Sequence, residues 1–147
     1  MKTIKLVASI ILFSTIAYLF NACSDNEDGD TQKPTINFIE PSEGSQVKIG
    51  SALHLLIHLS DNVGVSSYKV NIHSAEGHPV ESTKSEEHEV VIFEKSWNLT
   101  GDKDITIDHS EIIIPTTAKP GDYHIVVFCI DKSGVENYAA RNILLVE

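Results

Sequence analysis

Gly121-Asp122-Tyr123-His124-Ile125-Val126-Val127-Phe128-Cys129-Ile130-Asp131-Lys132-Ser133-Gly134 reads as a long buried strand running into a tight turn. On the two-residue period of a strand, Tyr123, Ile125, Val127 and Cys129 share one face, and His124, Val126, Phe128 and Ile130 share the other. Lys119 to Asp122 supplies the turn before it and Asp131 to Gly134 the turn after. A strand apolar on both faces belongs in the middle of a sheet.

The neighbouring segments repeat the pattern with one wet face. Prolines bracket the short strand Thr35 to Glu40, as befits a sheet edge. Gln46 to Gly50 reads as a short strand or bulge. Ser51 to Ser60 turns Leu53, Leu55, Ile57 and Leu59 inward and His54, Leu56 and His58 outward. Val65 to His73 alternates Tyr68, Val70 and Ile72 with polar residues. Ser74 to Glu87 is polar and is expected to be an exposed loop. His88 to Trp97 resumes strand character, with Val90, Ile92 and Trp97 as core candidates. In Ile105 to Ile114, the period puts Ile105, Ile107 and Ile113 on one face with His109 and Glu111. Asn137 to Val146 closes the chain. About seven strands at these turn spacings, with no helical period, predict an all-β fold. The architecture expected is an immunoglobulin-like antiparallel β-sandwich with the opening stretch as its penultimate strand.

The N-terminus has a different logic. A basic start at Lys2 and Lys5 precedes an apolar run from Leu6 to Phe20, the pattern of a secretory signal and too short for a membrane span. It ends in Leu19-Phe20-Asn21-Ala22-Cys23, which resembles the lipobox of bacterial lipoproteins, in which the cysteine is lipidated. The expected organisation is a signal peptide over 1–22, lipidated Cys23 with an acidic flexible tether over 23–32, and the sandwich domain over 33–147. The acidic run Ser24 to Asp30 has nothing apolar to bury. Placed directly after the cysteine, it also resembles a surface-export signal of Bacteroidetes lipoproteins. Cys129 is then left without a partner for a disulfide, and its apolar neighbours make it a small core residue. Removing 1–22 leaves 9 basic against 21 acidic side chains, a net charge of −12 where the whole chain has −10. That balance argues against nucleic acid and anionic membrane surfaces as partners and is compatible with cations.

Several stretches coincide with a known family: Lys33-Pro34-Thr35-Ile36, Leu59-Ser60-Asp61-Asn62, Val70-Asn71-Ile72-His73, Gly77-His78, and Gly121-Asp122-Tyr123-His124 with Asp131-Lys132-Ser133-Gly134. Together they resemble a family of Bacteroidetes lipoproteins, domain of unknown function 4625, over roughly residues 33–147. The resemblance implies an immunoglobulin-like sandwich and no particular activity. Richer versions of the family carry further histidines or an aspartate where this chain has Ser74-Ala75-Glu76.

The chain holds seven histidines. In an immunoglobulin-like topology the third and sixth strands are antiparallel neighbours. His73 ends the third and His124 begins the sixth, both facing away from the core, so the two are expected side by side, with His78 arriving from the adjoining loop. Three imidazoles with a water or carboxylate suit zinc or copper. Asp122 and Glu76 are the nearest carboxylates, and His109 joins only if its strand end comes close. The competing reading is an ordinary polar surface. His54 and His58, two apart on one strand face, make a weaker pair, and His88 is expected in solvent. Asp61, Asp131 and Asn137 resemble turn acids that bind calcium in some sandwiches, but six or more oxygens are not apparent. Capping of the turn backbone is the expected role. No serine stands on a strand-to-helix elbow, and Glu86-Glu87 lies in a polar loop.

The function expected is therefore a lipid-anchored cell-envelope binding module with no catalytic activity. Its expected place is the outer membrane, facing either the cell surface or the periplasm, and its expected partner another envelope protein or a glycan. The alternative is a zinc- or copper-binding lipoprotein using His73, His78 and His124; a hydrolase built on that metal stands behind both.

Overall fold

A computed structural model describes residues 29–76 and 90–147. The signal segment, Cys23, the tether as far as Asp28, most of the Ser74–Glu87 loop, His78 and His88 all lie outside the described residues.

Eight strands follow in chain order: β1 (Thr35–Glu40), β2 (Ser45–Lys48), β3 (Ala52–Ser60), β4 (Val65–Ser74), β5 (Val91–Asn98), β6 (Asp104–Ile113), β7 (Gly121–Asp131) and β8 (Glu136–Val146). They form two sheets, β1-β3-β6 and β2-β8-β7-β4-β5. The pairings are antiparallel except β2 with β8, where Ser45–Lys48 runs parallel to Ile143–Val146. This is the immunoglobulin-like sandwich that the alternation predicts, and Gln46 to Gly50 contributes a true strand to it. β7 lies in the middle of the larger sheet, between β8 and β4, as its apolar faces require.

The core fills the space between the sheets with alternate residues of every long strand. Leu53, Leu55, Ile57 and Leu59 from β3 meet Tyr68, Val70 and Ile72 from β4 and Tyr123, Ile125, Val127 and Cys129 from β7. Cys129 is fully buried, and burial, reinforced by the charges of Asp61 and Asp131, pushes its thiol up to about 12. It is a packing residue, inert as a thiolate at neutral pH.

Two expectations about the core fail. Ile113 is 55% exposed, while Ile112 and Ile114 are buried. Opposite Leu53 to Leu55, β6 spends an extra residue between His109 and Ile112, and this bulge reverses which side chains face inward. Val90 is 62% exposed, because β5 begins only at Val91 and is an outer strand among the described residues.

The start of β1 and the ends of β3 and β7 lie at one end of the sandwich; the ends of β4 and β6 and the start of β7 lie at the other. At the first end the turns touch. Gly64 has φ +111°, and a Cβ there would stand 2.2 Å from the carbonyl oxygen of Gly101. Only glycine fits so close to that backbone.

Candidate functional site

At the far end of the larger sheet, β4 and β7 pair so that His73 and His124 stand opposite each other. Both point away from the core, and their rings meet edge to face with centroids 5.5 Å apart and planes at 86°. A polar chain on the same face leads to them. Asn71 Nδ2 donates to Glu94 Oε2 at 2.9 Å, and Asn71 Oδ1 lies 2.6 Å from His73 Nδ1. Since the amide group of Asn71 is used toward Glu94, its oxygen accepts from His73 Nδ1–H. In the neutral ring, the lone pair then sits on Nε2. Fixing a tautomer through an outer partner is how imidazoles are prepared as metal ligands.

Of the other residues named with this pair, those that are described do not converge on it. Asp122 follows the same outward face, two residues before His124, yet among the described residues no third His, Cys, Asp or Glu comes within ligand distance of the two histidines. His78 lies outside the described residues.

His109 belongs elsewhere, because β6 is in the facing sheet. Its ring is buried between the sheets, 4.4 Å from the ring of Trp97 by centroids, and Trp97 stacks on Tyr68 at 4.9 Å. His109 Nδ1 lies 2.6 Å from Glu111 Oε1 and Nε2 lies 2.7 Å from the Tyr68 hydroxyl. The carboxylate can only accept, so Nδ1–H donates to it and Tyr68 O–H donates to Nε2. Glu111 is held below the ordinary carboxylate range by its own backbone amide first, with the His109 ring adding to the effect. Burial and then the Glu111 charge push the Tyr68 phenol up to about 12, so it stays a donor. With both nitrogens engaged, His109 is an inter-sheet strut and is removed from the candidate ligands.

His54 and His58 do not act as a pair either. On the exposed face of the smaller sheet, His54 Nε2 meets Asp108 at 2.9 Å and His58 Nε2 meets Asp104 at 3.4 Å, each with its own cross-strand carboxylate.

At the opposite end, the turn acids cap as expected. Asp61 Oδ1 accepts from the backbone N–H groups of Val63 at 2.8 Å and Gly64 at 2.9 Å, and Asp131 Oδ1 accepts from Val135 at 2.8 Å. Asn137 Nδ2 donates to the carbonyl of Pro34 at 2.8 Å. Asp30, which composition assigns to the tether, lies against these turns: its Oδ1 accepts from Asn62 Nδ2 at 3.0 Å and from Gln32 N at 3.2 Å. The Asn62 amide in particular holds the Asp30 carboxyl below its ordinary range. The Asp30, Asp61 and Asp131 carboxylates come within 4.8 Å of one another. Sequence reading found Asp61 and Asp131 and missed Asp30, which stands four residues ahead of Pro34.

At the same end of the sandwich, a cleft of about 360 Å³ opens between the β4–β5 end and the β6–β7 connection. Ser74, Glu76, Val91, Pro115, Lys119 and Tyr123 contribute to its walls, and exposed Val90 and Val91 supply part of its apolar lining.

The model of a family described as domain of unknown function DUF4625 matches residues 21–146. No curated protein matches the chain. Among solved structures, the fibronectin(III)-like modules of Clostridium thermocellum CbhA align over 76% of this chain and 94% of theirs, at 13% identity and a TM-score of 0.43. OgpA from Akkermansia muciniphila aligns over 77% of this chain and 29% of its own, at 14% identity and a TM-score of 0.49. An LPMO from Kitasatospora papulosa aligns over 71% and 52%, at 7% identity and a TM-score of 0.46. The sandwich assignment rests on the strand order described above.

Proposed function

The chain belongs to the family described as domain of unknown function DUF4625, and we propose that it is a non-catalytic binding module of the cell envelope. In this reading Cys23 carries the lipid, the outer membrane holds the anchor, and the sandwich is displayed to grip another envelope protein. The observation that carries it is the outer strand β5. Among the described residues it pairs only with β4, contains no proline, and begins at exposed Val91 beside the 360 Å³ cleft. The outer edge of β5 offers its backbone N–H and C=O groups to a partner strand, while the cleft selects side chains.

The test is site-directed photocrosslinking in intact cells. A photoreactive phenylalanine analogue at position 91 is expected to yield one adduct of defined mass, and the same analogue at exposed Tyr138 none. A protease-resistant adduct would make the partner a glycan. Identical labelling from both positions would refute the site.

A second reading is metal capture at His73 and His124, with His78 as third ligand. Its support is the edge contact of the two rings and the Glu94–Asn71–His73 chain that sets one tautomer.

A further inference from the structure

Three segments remote in sequence bring carboxylates together at the end of the sandwich where β1 begins. Asp30 precedes β1, Asp61 follows β3 and Asp131 ends β7. Two of them are nearly removed from solvent: Asp61 is 7% and Asp131 1% exposed. Their Oδ1 atoms are taken by the turn amides, and that of Asp30 by Asn62. The Oδ2 atoms of all three are buried, and among the described residues no N–H or O–H donor reaches them. Among the described residues, no Lys, Arg or His forms an ion pair with any of them.

Unpartnered carboxylate oxygens this deep, and this close to others of the same charge, oppose folding unless a positive charge joins them. Turn capping explains each Oδ1 and leaves every Oδ2 without a role. The spacing fits a single ion. Calcium holds oxygens at about 2.3–2.6 Å, so ligands on opposite sides of it lie about 4.6–5.2 Å apart. Here the ligand atoms all lie within 4.8 Å of one another. All the donors are hard oxygens, with no imidazole or thiolate among them, which selects against zinc and copper. Calcium also accepts the irregular geometry that three loops provide, whereas magnesium demands a near-ideal octahedron.

We propose that Asp30, Asp61 and Asp131 bind one calcium ion through their Oδ2 atoms, with water completing the shell. The ion fastens the segment ahead of β1 to the β3–β4 and β7–β8 turns, so the entry to the domain is rigid when calcium is present and loosened when it is not. This site is independent of the histidine pair at the other end and of the partner proposed for β5.

The experiment is thermal unfolding of the full chain, purified in mild detergent and stripped with chelator, across a calcium titration. At a hundredfold excess over the dissociation constant, binding to the folded state alone shifts the folding equilibrium about a hundredfold. For a domain of this size, the midpoint rises by roughly 5–10 °C. Asp30→Asn and Asp131→Asn are expected to abolish that rise. Without metal, both should unfold at or above the wild-type midpoint, because Asn keeps the Oδ1 contact and removes a repelling charge. Asp30 is half-buried and outside the core, so Asp30→Asn decides the matter if Asp131→Asn does not fold. No rise in the wild type, an equal rise with sodium at matched ionic strength, or a rise preserved in Asp30→Asn would overturn the proposal.

Discussion

His73 and His124 occupy directly opposed positions in the β4–β7 ladder, and their rings touch edge to face at 5.5 Å. Neither neighbours the other in sequence; the pairing exists because β4 ends where β7 begins. If the pair ligates metal, protein purified without a histidine tag retains one equivalent of zinc or copper through dialysis. Elemental analysis should show that metal leaving at pH 5, where protonated imidazole cannot ligate, and absent from His124→Ala. Retention of no metal by the wild type eliminates this reading and leaves the envelope-binding one intact.

Tyr68 and His109 join the two sheets through one buried hydrogen bond of 2.7 Å. Tyr68→Phe keeps the stack on Trp97 and deprives His109 Nε2 of its donor. The expected cost is about 1–3 kcal/mol, read as a lower denaturant midpoint with an unchanged slope. A midpoint equal to the wild type's would show that the bond contributes nothing net.

Gly64→Ala tests the turn contact at the other end. The substitution imposes a Cβ at φ +111° and against the Gly101 carbonyl. A loss of about 3 kcal/mol in chemical denaturation is predicted, while Gly134→Ala, with open space around it, costs less.

Much of this was legible from residues alone. The apolar pattern on both faces of β7 placed it at the centre of the sheet, and antiparallel topology then brought His73 to His124. Period-two reading broke down at Ile113, because the extra residue in β6 is a property of its pairing with β3 and leaves no mark in local composition. Asp30 was misassigned for a related reason. A short acidic run looks solvated, and nothing local reports that Asp131, far along the chain, will fold against it. His109 was placed on one face with Ile107 and kept as a possible ligand; its burial and its contacts come from the facing sheet, which periodicity along one strand does not describe.

Glu111 makes stability pH-dependent in a definite direction. Its folded carboxyl is held below the ordinary value of 4.5, mainly by its own amide and then by His109. A group depressed in the folded state contributes stability above its unfolded pKa and loses it as pH falls through the folded one. Wild type should therefore lose stability more steeply than Glu111→Gln below about pH 4.5. Parallel acid-unfolding curves for the two proteins would contradict the assignment.

The central claim is that the β5 end of the sandwich binds an envelope partner. Its most direct measurement is a binding isotherm of the labelled full chain on isolated outer envelopes, wild type against Val91→Glu. Position 91 is exposed, so the fold should survive the charge. Saturable binding weakened at least tenfold by Val91→Glu, a loss of about 1.4 kcal/mol, is the predicted result. Equal affinity of the two proteins, or binding that never saturates, would contradict it.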